Sequence, residues 1–121
     1  MNTMTVAEYN AALRAQGVPR VDLAVKCPMC HTVQSAADLI AADAGADFEA
    51  VETYLAFSCV GRFTGAGAPR QQPDGQPCNW SLGGLLSLHQ LEVVTPDGKQ
   101  HPSFEVATPA EAQALKAAKG A

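Results

Sequence analysis

Val21-Asp22-Leu23-Ala24-Val25-Lys26, followed at once by Cys27-Pro28-Met29-Cys30, is the stretch on which the fold turns. The first six residues alternate apolar with polar or small side chains, the pattern of a short half-buried strand. The strand delivers a tight turn, and the turn presents two thiols from one place. Two thiolates so presented can occupy two corners of a tetrahedral metal site. Cys59 and Cys78, the other cysteines of the chain, are available for the remaining corners. With Zn–S bonds of about 2.3 Å, the four would close a tetrathiolate zinc centre around one ion. The candidate metal ligands are therefore Cys27, Cys30, Cys59 and Cys78, with Zn2+ as the expected cofactor.

Other readings of these residues stay open. His31, His89 or His101 could replace one cysteine, although His31, adjacent to the pair, is expected to point away or to make an outer contact. A C-P-x-C turn also occurs in glutaredoxin-like thiol oxidoreductases, where the first thiolate is stabilised at a helix N-terminus. That reading makes Cys27 the nucleophile and Cys30 the resolving thiol. Against it, the nearest helix-start signal is Ser35, with β-branched Thr32 and Val33 in between, and the chain lacks an alternating βαβ pattern. The four thiols could also be buried with no shared role. A zinc deaminase needs H-x-E ahead of P-C-x-x-C, and no histidine here is followed by that glutamate. H-E-x-x-H is absent as well. Four thiolates would leave the ion coordinatively closed, with no position for water or substrate. No catalytic residue is assigned: the carboxylates are dispersed and no Ser-His-Asp arrangement can be built.

Outward from the turn, Ser35-x-x-Asp38 opens a second helix, which Gly45 ends, and residues 47–53 form another short helix. Tyr54 to Val60 is aromatic and apolar and reads as a strand carrying Cys59. Residues 61–77 hold four Gly, three Pro and three Gln, and read as a long irregular loop or flexible arm ending at Cys78. Trp80 to Leu88 is apolar but broken by Gly83-Gly84; a short helix from Ser81 is the expectation. Trp80 is expected to fill a small core. Arg62 could place a guanidinium beside the thiolates.

Towards the N-terminus, Thr5-x-x-Glu8 is a capping box for a helix that Gly17 and Pro19 terminate. Towards the C-terminus, Leu91–Thr95 and Ser103–Ala107 are strand-like, with Pro96-Asp97-Gly98 as the turn of a β-hairpin. Thr108, Pro109 and Glu111 then open a last, alanine-rich helix. The expected architecture is a single α+β domain over 1–121, small and zinc-ribbon-like or treble-clef-like. Residues 1–19 hold the N-terminal helix, 20–90 the four-cysteine zinc-binding core, and 91–121 the hairpin and C-terminal helix.

Composition explains why a metal would matter. Of the apolar residues, which make up 47% of the chain, 22 are alanine and bury little area. A core of this kind has little margin without a cross-link or an ion. The net charge of −4 does not suit a nucleic-acid partner, since phosphate contacts need a basic stripe. Arg62, Arg70 and Lys26 are the cations a nucleic-acid reading would use. No apolar run reaches the roughly 18 residues of a membrane span. No basic-then-apolar leader opens the chain, so the cytoplasm, where structural disulfides are rare, is the expected compartment.

CPMCHTVQSAADL, FSCVGR and PCNWSLGGLL together resemble a family of small proteins encoded by bacteriophages and prophages. The positions that carry the resemblance are Cys27, Cys30, Val33, Gln34, Ser35, Cys59, Gly61, Arg62, Cys78, Trp80, Leu82 and Gly84, within residues 20–90. The family is of unknown function and regarded as zinc-binding. The resemblance implies a phage or prophage source, a bacterial host cytoplasm and a metal, but no activity. The expected function is that of a non-enzymatic accessory protein binding a host or phage macromolecule, most simply a protein, through the loop at 61–77. A nucleic-acid-binding zinc module and a C-x-x-C oxidoreductase are the alternatives.

Overall fold

The computed structural model describes residues 2–81 and 91–120. Strand β1 (Asn2–Thr5) leads into helix α1 (Val6–Arg14), and a 3-10 turn (Arg20–Asp22) precedes β2 (Ala24–Lys26). Strand β3 (Val33–Ser35) runs straight into α2 (Ala36–Ala41), and α3 (Phe48–Leu55) is followed by a second 3-10 turn (Val60–Phe63). The chain closes with β4 (Leu91–Val94), β5 (Gln100–Ser103), β6 (Glu105–Val106) and α4 (Pro109–Gly120). This is a mixed α+β arrangement. No helix of the described residues is long and apolar enough to cross a membrane.

The helix starts are set locally. Thr5 Oγ1 accepts the Glu8 N–H at 3.1 Å while Glu8 accepts the Thr5 N–H at 2.9 Å. Thr108 and Glu111 make the same reciprocal pair, and Ser35 with Asp38 a third. Each box satisfies backbone donors that the first helical turn leaves free. Asp47 caps α3 by accepting the Ala50 N–H at 2.9 Å.

The strands form two three-stranded sheets. One has the order β1-β4-β5, with β1 parallel and β5 antiparallel to β4; the other is β3-β2-β6, antiparallel throughout. Phe104, between β5 and β6, is where the chain passes from one sheet to the other. It is fully buried, and its N–H bonds the Ala56 carbonyl at 2.9 Å.

Three expectations are corrected here. The 54–60 segment is not a strand: α3 continues through Tyr54 and Leu55, because Phe48, Val51 and Leu55 share one helical face and two of them are buried. Only Ser58 makes a β-bridge, to Ser81. The hairpin pairs β4 with 100–103 rather than 103–107, in the register Leu91↔Ser103 and Val94↔Gln100. The turn at 96–98, closed by Thr95 N–H to Lys99 O at 3.0 Å, leaves 100–103 as the nearest strand. The following residues, 105–106, pair with β2. Finally, residues 21–26 divide into a 3-10 turn and a shorter strand. Strand β1 had no sequence signal, since its partner β4 lies near the other end of the chain. The expected helix beyond Ser81 and His89 lie outside the described residues.

The main core holds Val25, Ala36, Leu39, Val51, Leu55, Val60 and Phe104 together with all four cysteines. A smaller cluster of Ala24, Ala107 and Ala112 seats α4. Gln16, fully buried, ties this seat together. Its amide donates to the carbonyls of Ala24 (2.8 Å) and Ala107 (2.9 Å) and accepts the Ala24 N–H at 2.8 Å. Gly17, at φ +70°, lets the chain turn immediately after it. Lys26 reaches Glu111 at 2.7 Å, linking the end of β2 to α4.

Candidate metal centre

β2 carries the chain into the core and ends next to Cys27. The residues that follow reverse it into β3. The Cys27 N–H bonds Thr32 O at 3.0 Å, and the His31 N–H bonds Cys27 O at 2.9 Å. His31 takes the left-handed conformation, φ +63°, that such a reversal needs. The result is a rigid knuckle on a β-hairpin, with Cys27 and Cys30 both turned inward and buried. Thr32 Oγ1 lies 3.0 Å from Cys30 Sγ and can donate to it.

Cys59 follows the end of α3, in a segment with no regular structure of its own. Gln34 of β3 holds that segment. Its amide nitrogen donates to Leu55 O at 2.9 Å and Ser58 O at 2.8 Å, while its oxygen accepts the Val60 N–H at 2.7 Å. Three backbone groups around Cys59 are thus satisfied by one buried side chain. The Cys59 N–H also bonds Trp80 O at 2.9 Å. Cys78 ends the long loop, and its N–H points at Cys59 Sγ, 3.4 Å away.

The four Sγ atoms lie within 4.8 Å of one another, and none forms a disulfide. Cys27 and Cys78 are 3.9 Å apart, Cys30 and Cys59 3.7 Å. A tetrahedron with metal–sulfur bonds of about 2.3 Å has sulfur–sulfur edges of about 3.8 Å. The cysteines are therefore positioned to hold one metal ion, and the donor set is wholly soft and anionic when deprotonated. As thiols, the four hold their protons unevenly. Cys59 is held down to about 5, first by the Cys27 thiol and then by the N–H groups of Cys78 and Gly61. Cys27 is pushed up by that same partnership and by burial; burial pushes Cys78 up to about 12.

The remaining candidates fall outside this cluster. His31 is exposed at the rim of the knuckle, and His101 is exposed on β5. His31→Gly is accordingly expected to keep the metal and to stay within about 1 kcal/mol of the parent, since relief of the left-handed strain offsets the added chain entropy. Metal analysis with thermal melting checks this, and loss of the ion would make His31 a ligand. Arg62 does not reach the thiols: its guanidinium donates to Asn79 O at 3.0 Å. Arg70 pairs with Asp74 and Lys26 with Glu111, so all three cations of the nucleic-acid reading are engaged within the chain. Trp80 packs against the core, as its sequence position suggested.

Two residues that build the site had no readable role beforehand. Gln34 is one. Gly61 is the other: a Cβ there would overlap the Cys78 carbonyl and lie 2.8 Å from both the Cys78 nitrogen and the Ala66 Cβ. The absence of a side chain lets the backbone carrying Cys78 lie against the backbone after Cys59. Gly61→Ala should therefore separate the third and fourth thiols, costing on the order of 1–3 kcal/mol from overpacking and more through weakened metal binding. A lower melting temperature with lower metal occupancy is the expected readout; parental values for both would contradict the close approach.

Residues 5–107, which include all four cysteines, match the VVA0879-like family. No curated protein and no solved structure matches the chain.

Proposed function

The chain belongs to the VVA0879-like family, and from its closed, buried four-thiol cluster we propose a non-enzymatic accessory protein built on one structural zinc ion. Cys27, Cys30, Cys59 and Cys78 are the ligands. The observation that carries this reading is the convergence of four buried thiols at tetrahedral spacing, from a hairpin knuckle and two distant segments. Zinc suits the site because it favours four-coordinate thiolate sets and needs no redox partner. The knuckle on the β2–β3 hairpin is treble-clef-like in character. A closed ligand set leaves no coordination position for a substrate, which supports a binding rather than a catalytic role.

The partner we propose is a protein, in the cytoplasm of a bacterial host, and the phage or prophage source follows from the resemblance of the CPMC, FSCVGR and PCNWSLGGLL segments. The contact surface is the loop at 61–77, exposed along most of its length, with the exposed rings of Tyr54 and Phe57. These two are 38% and 39% exposed, unusual for large apolar side chains, and aromatic residues are the commonest interface anchors. The rings of Tyr54 and Phe63 meet at a tilt of 56°, 5.2 Å between centres, joining the α3 end of the patch to the start of the loop. The thiol oxidoreductase is disfavoured by the setting of Cys27 and Cys30, which lie in a turn between two strands rather than at a helix head.

The test is affinity capture from host lysate with the zinc-loaded protein and with a Tyr54→Ser, Phe57→Ser double variant that retains its metal. A protein held by the parent, resistant to nuclease treatment and lost from the variant, is the expected result. Capture of nucleic acid with a steep salt dependence, or capture unchanged by the substitutions, would overturn the assignment.

A further inference from the structure

We propose that Arg70 is a positioning residue for the metal centre: paired with Asp74, it fastens the 64–77 loop across the knuckle, holds Cys78 in place and sets how slowly the metal leaves. The inference rests on the reading that the four thiols hold an ion.

The loop has the composition of a linker, yet it is tied down. Ala66 N–H bonds Gly61 O at 2.9 Å, Asn79 N–H bonds Gly67 O at 3.0 Å, and Gly75 N–H bonds Cys30 O at 2.8 Å. The last bond lays the loop directly on the CPMC knuckle. Arg70 organises the stretch that leads into Cys78. Its Nε and one terminal nitrogen donate to the two carboxylate oxygens of Asp74 at 2.9 and 2.8 Å. The same guanidinium donates to Gln76 O at 2.6 Å and reaches Pro77 O at 3.4 Å. Asp74 in turn accepts the Gln76 N–H at 3.1 Å. Residues 74, 76 and 77 are therefore all bonded within one planar fork, and the next residue is the ligand. A two-pronged fork of this kind fixes geometry as well as charge, which a lysine could not do.

The four ligands differ in what stands behind them. Cys27 and Cys30 belong to the hairpin, and Cys59 is braced by Gln34. Cys78 has no helix or strand behind it among the described residues. A metal bound by thiolates leaves stepwise, as protons or competing donors replace one sulfur at a time. A ligand held by loop hydrogen bonds rather than by a helix or strand is the one whose release the loop governs, and Cys78 is such a ligand. The hydrogen bonds to Asp74 raise Arg70 above its ordinary value, so the fork stays charged.

The experiment follows zinc transfer from the loaded full chain to excess 4-(2-pyridylazo)resorcinol, for the parent, Arg70→Gln, Asp74→Asn and the double variant. Zinc stoichiometry and far-UV circular dichroism are recorded for each. All are expected to hold one zinc per chain with the parental spectrum, because the pair is at the surface. Either single variant should release zinc about fivefold faster, the scale of one well-formed surface pair, and the double variant no faster than the singles. Parental release rates in both singles would overturn the proposal, as would acceleration by Arg70→Gln alone, which would reduce the effect to charge. A parent chain that holds no zinc would instead refute the metal reading on which this one stands.

Discussion

Cys30→Ser is expected to unfold the chain. The residue is buried at the centre of the cluster, 3.7 Å from Cys59 Sγ, and supports the knuckle that joins β2 to β3. Serine keeps the size but offers a neutral hydroxyl in place of a thiolate, so one of four metal bonds is lost and the ion is left accessible to water. Binding at structural zinc sites is worth on the order of 10–16 kcal/mol and is effectively folding energy, because the unfolded chain has no preformed site. The whole stability of a domain is about 5–15 kcal/mol. Among the described residues the fully buried part of this core is small: its large side chains are Val25, Leu39, Val51, Leu55, Val60 and Phe104, and four of its positions are the thiols themselves. The variant should lose far-UV signal and cooperative melting, as the parent should on treatment with EDTA. A metal-free Cys30→Ser protein that melts cooperatively near the parental temperature would sink the account.

Gln34→Leu is the second large effect. Leucine is close to glutamine in volume, so the substitution removes hydrogen bonds without opening much of a cavity. It leaves the carbonyls of Leu55 and Ser58 and the N–H of Val60 buried and unpaired. Each such group costs about 1–3 kcal/mol, so a loss of roughly 3–9 kcal/mol is expected before any effect on the metal. Because these three groups flank Cys59, the metal should also bind more weakly, and the two losses should appear together. Denaturant unfolding of the zinc-loaded protein, with a competition assay for zinc affinity, measures both. Stability within about 1 kcal/mol of the parent would show that the Gln34 bonds contribute little.

The parts of this molecule that could be read from its sequence are those whose cause is local. Thr5 with Glu8, Ser35 with Asp38 and Thr108 with Glu111 announce helix starts because each box is complete within four residues. The CPMC turn announces a two-thiol knuckle for the same reason. Reading failed where the deciding contact is distant. β1 exists because β4 lies beside it, and β6 because β2 does. Residues 54–60 carry aromatic and β-branched side chains that suit a strand, yet the buried face of α3 keeps Tyr54 and Leu55 helical. The four residues of the thiol cluster could be named from residue type alone. What brings the third and fourth thiols to the first two could not, since a glutamine and a glycine acquire those roles only from what faces them in the fold. In the sequence Arg62 and Arg70 stand in one loop, and Arg62 alone is a candidate for a place beside the thiolates. The structure separates them, one on Asn79 and the other on Asp74.

Elemental analysis of metal per chain on protein purified without chelator, with thiols counted before and after EDTA, decides whether the four cysteines hold an ion. One zinc per chain is expected, with four thiols that react only after chelation and loss of folded structure at the same point. A folded, metal-free chain with freely reactive thiols, Cys27 and Cys30 oxidising reversibly among them, would contradict this and return the C-x-x-C oxidoreductase to first place.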